Sequence, residues 1–371
     1  MKNPANRNNQ KEHSMTLSRI VLIILPALLL LNTRIYAETA SSAVNRVKLI
    51  FSLDQGFGNG VIVQNDQVAI RRIIRTLEPL KSKYDVFLLL NPQIGDKRKL
   101  ETTLTTLKAM KMSFVLDVYT SDAYTLGSCT GHNAPYDSSH ALSISMEYLT
   151  RLKIKYGKNL AGLRFMEVFG QDFTVRAIKT TNPEWARPAE KLPPDNVFQR
   201  RYAEQFIKFA KDNAMFLQWA DFHWYAAAPW DGIQKEYEKT VSELLRKYPG
   251  VITVTYNNNE PLEQSAPKIN MWHTIVKGYV EEGAAGYGLS DQSWLHTDHM
   301  KTPPEEIVAW AESALRNGSE LIQFEPAWYF FRLPVGSFEM KSFGHLAEWK
   351  DRGMGTINYE VLKNSLLKES N

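Results

Sequence analysis

The stretch DQVAIRRIIRTLEPLKSKYDVFLLLN (66–91) decides the fold. Its first part, 66–83, sets Val, Ile and Leu three and four residues apart with Arg, Lys and Glu between them. That is the period of a helix with one apolar side. Its last part, YDVFLLLN (84–91), is a short unbroken apolar run, as a strand buried on both faces requires. The same alternation recurs on either side.

KLIFSL (48–53) precedes the stretch, and DKRKLETTLTTLKAMK (96–111) follows it as the next helix. SFVLDVY (113–119) leads through a loop at 120–139 to HALSISMEYLTRLKIKYG (140–157). LAGLRFMEV (160–168) leads through a long loop to NVFQRRYAEQFIKFAKDN (196–213). MFLQWA (215–220) is followed by DGIQKEYEKTVSELLRKY (231–248), and VITVTY (251–256) by a helix near 265–281. AAGYGLS (284–290) is followed by PPEEIVAWAESALRNG (303–318), and ELIQFE (320–325) by a final helix near 342–352. Eight βα units in strict alternation specify an α/β fold, a (β/α)8 TIM barrel. The alternative, a doubly wound open sheet, lacks its phosphate turn: GFGNG (56–60) is glycine-rich but is not GxGxxG. Loop 170–196, with four prolines, reads as an ordered excursion over the barrel mouth.

The chain has 371 residues, 44% hydrophobic and 23% charged, ordinary proportions for one large globular domain. The segment IVLIILPALLLL (20–31), preceded by Arg19 and followed by NTRIYA, reads as the core of a signal peptide with Ala37 at the cleavage point. A leader core runs about 7–15 apolar residues, against about 20 for a membrane span. Met15 is an alternative start, and an uncleaved N-terminal anchor is the alternative fate. The organisation is therefore a leader, 1–37, and a catalytic barrel, 38–371, secreted or periplasmic and with no stable membrane insertion once the leader is cleaved.

Residues 1–37 carry five of the 44 basic residues and one of the 40 acidic ones, so the remainder carries 39 of each sign. A neutral mature chain gives no footprint for nucleic acid. Cys129 is the only cysteine, which excludes an intrachain disulfide and a thiolate cluster. No partner protein is legible.

What singles out a chemistry is how the strands end. Seven of the eight run into carboxylates: Asp54, then Asp117 with Asp122, then Glu167, Asp221, Glu260, Asp291 and Glu325; the remaining one ends on Asn91. A parallel barrel gathers these ends on one face, where such enzymes build their sites. Cleavage of a glycosidic bond needs two carboxyl groups, one held protonated as the acid and one ionised to activate water or attack. Glu167, with Phe165, Met166, Val168 and Phe169 around it in sequence, is the choice for the acid, because an apolar setting disfavours the ionised form. Its structural alternative is a capping or salt-bridged Glu. Glu325 precedes Pro326, Trp328 and Tyr329 and is the second catalytic candidate; Asp291 and Asp221 compete as bases, each with helix N-capping as its ordinary alternative. Glu260 follows Asn257, Asn258 and Asn259 in a polar loop suited to hydroxyl recognition. Asp54, Asp117 and Asp122 read as structural or peripheral.

Trp219, Trp224, Trp230, Trp294 and Trp328 fall at or beyond strand ends, where flat rings with a polar edge suit pyranose faces. Trp310 reads as core. His223 and Gln292 supply hydrogen bonding beside Asp221 and Asp291, and Tyr124 lies in the loop after the third strand. His296, Asp298 and His299 in LHTDH resemble ligands, yet no HExxH occurs; the reading is that no metal and no cofactor is required. No G-x-S-x-G elbow is present.

The segments DVFLLLNP (85–92), FVLDVYTSDAYTLGSC (114–129), GLRFMEVFG (162–170), GLSDQSW (288–294) and LIQFEPAW (321–328) resemble the catalytic barrel of glycoside hydrolase family 98. The resemblance implies an inverting, endo-acting hydrolase of galactose-containing glycans, with Glu167 as the acid and Glu325 and Asp291 on the base side. Two other classes stay open: a catalytically silent glycan-binding barrel, and a metal-dependent barrel hydrolase using His223, His296 and His299.

Overall fold

The structure is a computed structural model that describes residues 46–53, 66–90, 97–118, 138–166, 197–222, 231–258, 278–291, 304–324 and 355–368. Eight strands form a closed parallel barrel: β1 (Lys48–Ser52), β2 (Asp85–Leu90), β3 (Ser113–Asp117), β4 (Leu160–Met166), β5 (Phe216–Phe222), β6 (Ile252–Asn258), β7 (Gly286–Asp291) and β8 (Leu321–Phe324). Each pairs with its neighbours in sequence, and β8 pairs with β1. Following the pairings once around brings the register back to β1 eight residues from where it began, the stagger of a (β/α)8 barrel.

Helices follow the strands as the periodicity requires: α1 (Gln67–Leu77), α2 (Lys97–Ala109), α3 (Ser138–Tyr156), α4 (Val197–Asp212), α5 (Asp231–Lys247), α6 (Pro304–Arg316) and α7 (Gly355–Leu367). The first five follow β1 to β5, while α6 and α7 follow β7 and β8. Of the helix expected near 265–281, the described part is helical over 278–281. The final helix expected near 342–352 lies outside the described residues; the one observed after β8 is α7. The chain divides into two units, Met1–Arg46 and Val47–Asn371, and the barrel is the second. The leader lies outside the described residues, among which no helix is long and apolar enough to cross a membrane.

Local chemistry sets the boundaries. The Asp66 carboxylate accepts from the amides of Val68 and Ala69 at 2.8 and 3.0 Å and starts α1. The α-helix stops at Leu77, short of the expected 83, and tightens into a 3-10 turn at Glu78–Ser82. Pro79 has no N–H to offer the carbonyl four residues back.

Strand alternation divides the core in two. Leu49, Phe51, Leu88, Leu163, Leu217, Ile252, Leu289 and Ile322 face the helices and pack with residues such as Ile70 and Ile73 of α1. Ile50, Phe87, Leu89, Val115 and Leu321 form a separate cluster inside the barrel, with Ala161 and Phe216 against it. At Gly162 a Cβ would stand 2.6 Å from the Phe216 ring, so a side chain there would have to displace that ring. At Gly288 a Cβ would meet the Leu321 carbonyl oxygen at 2.1 Å, so β7 and β8 approach only because that side chain is missing.

The last helix closes the ring. Tyr84 Oη donates to the Leu366 carbonyl at 2.8 Å, and Lys83 Nζ donates to the carbonyls of Leu366 and Lys368 at 3.0 and 2.8 Å. The Tyr359 hydroxyl donates to the Thr76 carbonyl. The C-terminal end of α7 is thereby capped by residues that precede β2.

Candidate active site

Because all eight strands run parallel in a closed barrel, their C-terminal ends open on one face. β3 ends on Asp117, β7 ends on Asp291, and β6 ends on Asn257 and Asn258. Asp221 is the penultimate residue of β5. Register pairs Asp221 with Tyr256, and Asp291 with both Asn258 and Phe324. Two of the sequence candidates, Asn258 and Asp291, are thus direct neighbours across one ladder. Asp221 and Asp291 both lie within strands, and the next described helices begin at Asp231 and Pro304.

Glu167 and Glu325 immediately follow the last residues of β4 and β8, Met166 and Phe324. They lie outside the described residues, as do His223, Trp224, Glu260, Gln292, Trp294, Trp328 and Tyr124. Asp54, Asp122 and the LHTDH segment do as well. Among the described residues, no three His, Cys, Asp or Glu side chains gather to hold a metal.

Beneath that face the lumen is polar. Arg164 Nε donates to Asp117 Oδ1 at 2.9 Å and Nη2 to Oδ2 at 2.5 Å, a two-pronged ion pair with side chains 1% and 3% exposed. Asp117 is therefore structural, as its sequence context implied. Removing either partner would strand a charge in the interior. Arg164 was not among the sequence candidates. The available signal was a lone guanidinium in an otherwise apolar strand, which demands a buried carboxylate nearby.

A second polar group spans the barrel. Gln218 Nε2 donates to Thr255 Oγ1 at 3.1 Å and to Gln323 Oε1 at 2.6 Å. Thr255 Oγ1 in turn donates to the Trp219 carbonyl at 3.3 Å, which fixes the polarity of the set. Gln218 and Gln323 are wholly buried. They stand on strands that are not paired with each other, so their bond crosses the lumen.

One aromatic expectation needs correction. Trp219 is not a sugar platform: it is 1% exposed and packs edge-on against Phe165 at 5.9 Å in the layer between strands and helices. Its place in β5 gives it the outward alternation of Leu217. Phe165 packs outward in that same layer, against Phe206 at 5.5 Å. Trp310 is core as expected, 2% exposed and edge-on to Phe324.

The sequence matches no family model and no curated protein. Similar solved structures include an endo-1,4-beta-xylanase of Penicillium canescens, at 10% identity and a TM-score of 0.40 over 74% of this chain and 81% of that one. Another is an endo-1,4-beta-xylanase from Caldicellulosiruptor owensensis, at 9% identity and 0.40 over 77% and 87%. A third is an HpcH/HpaI aldolase from Desulfitobacterium hafniense DCB-2, at 10% identity and 0.38 over 86% and 95%. Likeness at this distance, shared between xylanases and an aldolase, carries no argument about chemistry. The barrel assignment rests on the strand pairing itself.

Proposed function

We propose that this chain is an exported, endo-acting glycoside hydrolase that cleaves a galactose-containing poly- or oligosaccharide with inversion. Glu167 donates the proton to the leaving oxygen, while Glu325, with Asp291, holds and activates the water. The supporting observation is the closed barrel: it brings the exits of β4, β7 and β8 to one face, and Glu167, Asp291 and Glu325 are the residues at or next after those exits. β4 and β8 stand on opposite sides of the ring, which suits carboxyls that flank a bond and leave room for water, about 6.5–9.5 Å apart. Trp224, Trp294, Trp328 and Tyr124 would stack on sugar rings, and Asp221, His223, Asn258, Glu260 and Gln292 would bond hydroxyls.

The test is turnover by the purified mature protein across a panel of polysaccharides and host-type glycans, with the product anomer read by NMR. Glu167→Gln and Glu325→Gln should each lower kcat on the order of 100- to 10,000-fold while glycan binding persists. Full turnover by both variants would overturn the assignment. So would activity abolished by a chelator.

A further inference from the structure

We infer that the Gln218–Gln323 hydrogen bond is a strut across the lumen that sets the exit of β8, which makes Gln218 a positioning residue for the carboxyl that follows that strand. The inference rests on the hydrolase reading above and names a residue outside its carboxyl set. β8, described over Leu321–Phe324, is paired with β7 on one side and β1 on the other. Beyond it, Pro326 has no N–H to give to a ladder. Gln323 is the last lumen-facing side chain of β8, two residues before Glu325, and it receives the Gln218 amide at 2.6 Å.

The other end of the strut is held firmly. Gln218 pairs in register with Arg164, itself clamped by Asp117, and donates its second N–H to Thr255 on β6. Thr255 cannot rotate away without giving up the Trp219 carbonyl. The β4–β5–β6 wall is thus connected through one amide group to β8 on the far side. In the proposed reaction these two walls carry the acid and the base, and the distance between those carboxyls decides whether a water fits between them. Errors of about 1 Å in such placement cost on the order of 100-fold in rate.

Gln218→Leu and the double variant Gln218→Leu/Gln323→Leu test this on the full mature chain with the most active glycan of the panel. Both should lose kcat on the order of 10- to 100-fold with KM little changed, and the basic-carboxyl limb of the pH profile should move. The double variant should regain melting temperature without regaining kcat, because an apolar lumen repacks but does not restore the strut. Should Gln218→Leu not fold, Gln218→Met keeps the volume without the donor and should show the same loss of kcat. Wild-type kcat and pH profile in Gln218→Leu, or recovery of kcat together with stability in the double variant, would overturn the inference. Wild-type kcat in Gln218→Met would do the same. Those results leave the hydrolase reading intact, whereas absence of turnover by the wild type on every glycan removes both.

Discussion

The lumen has two levels built on opposite principles. Its floor, Ile50, Phe87, Leu89, Val115 and Leu321 with Phe216, is filled by shape, and the Lys48 ammonium lies over the Phe216 ring at 5.7 Å. The level toward the strand C-termini is filled by an ion pair and an amide network: Asp117 with Arg164, and Gln218 with Thr255 and Gln323. Dispersion and burial are non-directional, so a floor made of them fixes volume but tolerates rotation of its parts. Hydrogen bonds at low dielectric are directional and costly to leave unmade, so the upper level fixes orientation. The barrel places its precision next to the face where its strand-end carboxyls lie and its bulk beneath.

Three changes would break or sharpen that contrast. Arg164→Met should destabilise most, by about 3–5 kcal/mol in denaturant unfolding, because it leaves the Asp117 carboxylate buried without its cation. Asp117→Leu combined with Arg164→Met should regain a large part of that loss while remaining defective in any activity that depends on the mouth. If the single and double variants are equally unstable, the ion pair is not what the upper level depends on. On the floor, Leu89→Ala should cost about 2–4 kcal/mol in proportion to the cavity it leaves, with no charge term and no pH dependence between pH 5 and 8. A stability change that titrates would contradict the division into two levels. The smallest effect is expected for Gly162→Ala, about 1–3 kcal/mol, since the new methyl presses on the Phe216 ring. Phe216→Leu in the same chain should relieve it, and the failure of that rescue in a thermal melt would mean the backbone, not the ring, is what yields.

The fold was legible because it is a matter of period. Short apolar runs and three-four spacing locate β1 to β8 and most of the helices to within a few residues, and Pro79 explains where α1 stops early. Facing was harder to read. An aromatic near a strand end, such as Trp219, can serve a sugar or the helix layer, and only its parity with Leu217 separates the two. The same limit applied to polar lumen residues. Gln218 and Gln323 look like ordinary surface amides in sequence, and Arg164 becomes meaningful only when the register sets it beside Asp117. These pairings join residues as far as 105 positions apart, a relation that no local pattern encodes. Asp221 and Asp291 stand at the C-terminal ends of β5 and β7, each in a ladder with its neighbouring strand.

The clamp of Lys83 and Tyr84 on the carbonyls of Leu366 and Lys368 spans more than 280 positions of the chain, and β1 itself pairs with β8. A ribosome making this protein must therefore finish almost all of it before the first strand can meet its second neighbour. Non-local closure of that kind is slow, because the entropy of joining distant segments is lost before the contacts return it. Nascent chains would linger as incomplete half-rings with bare edges, the state most readily held by chaperones.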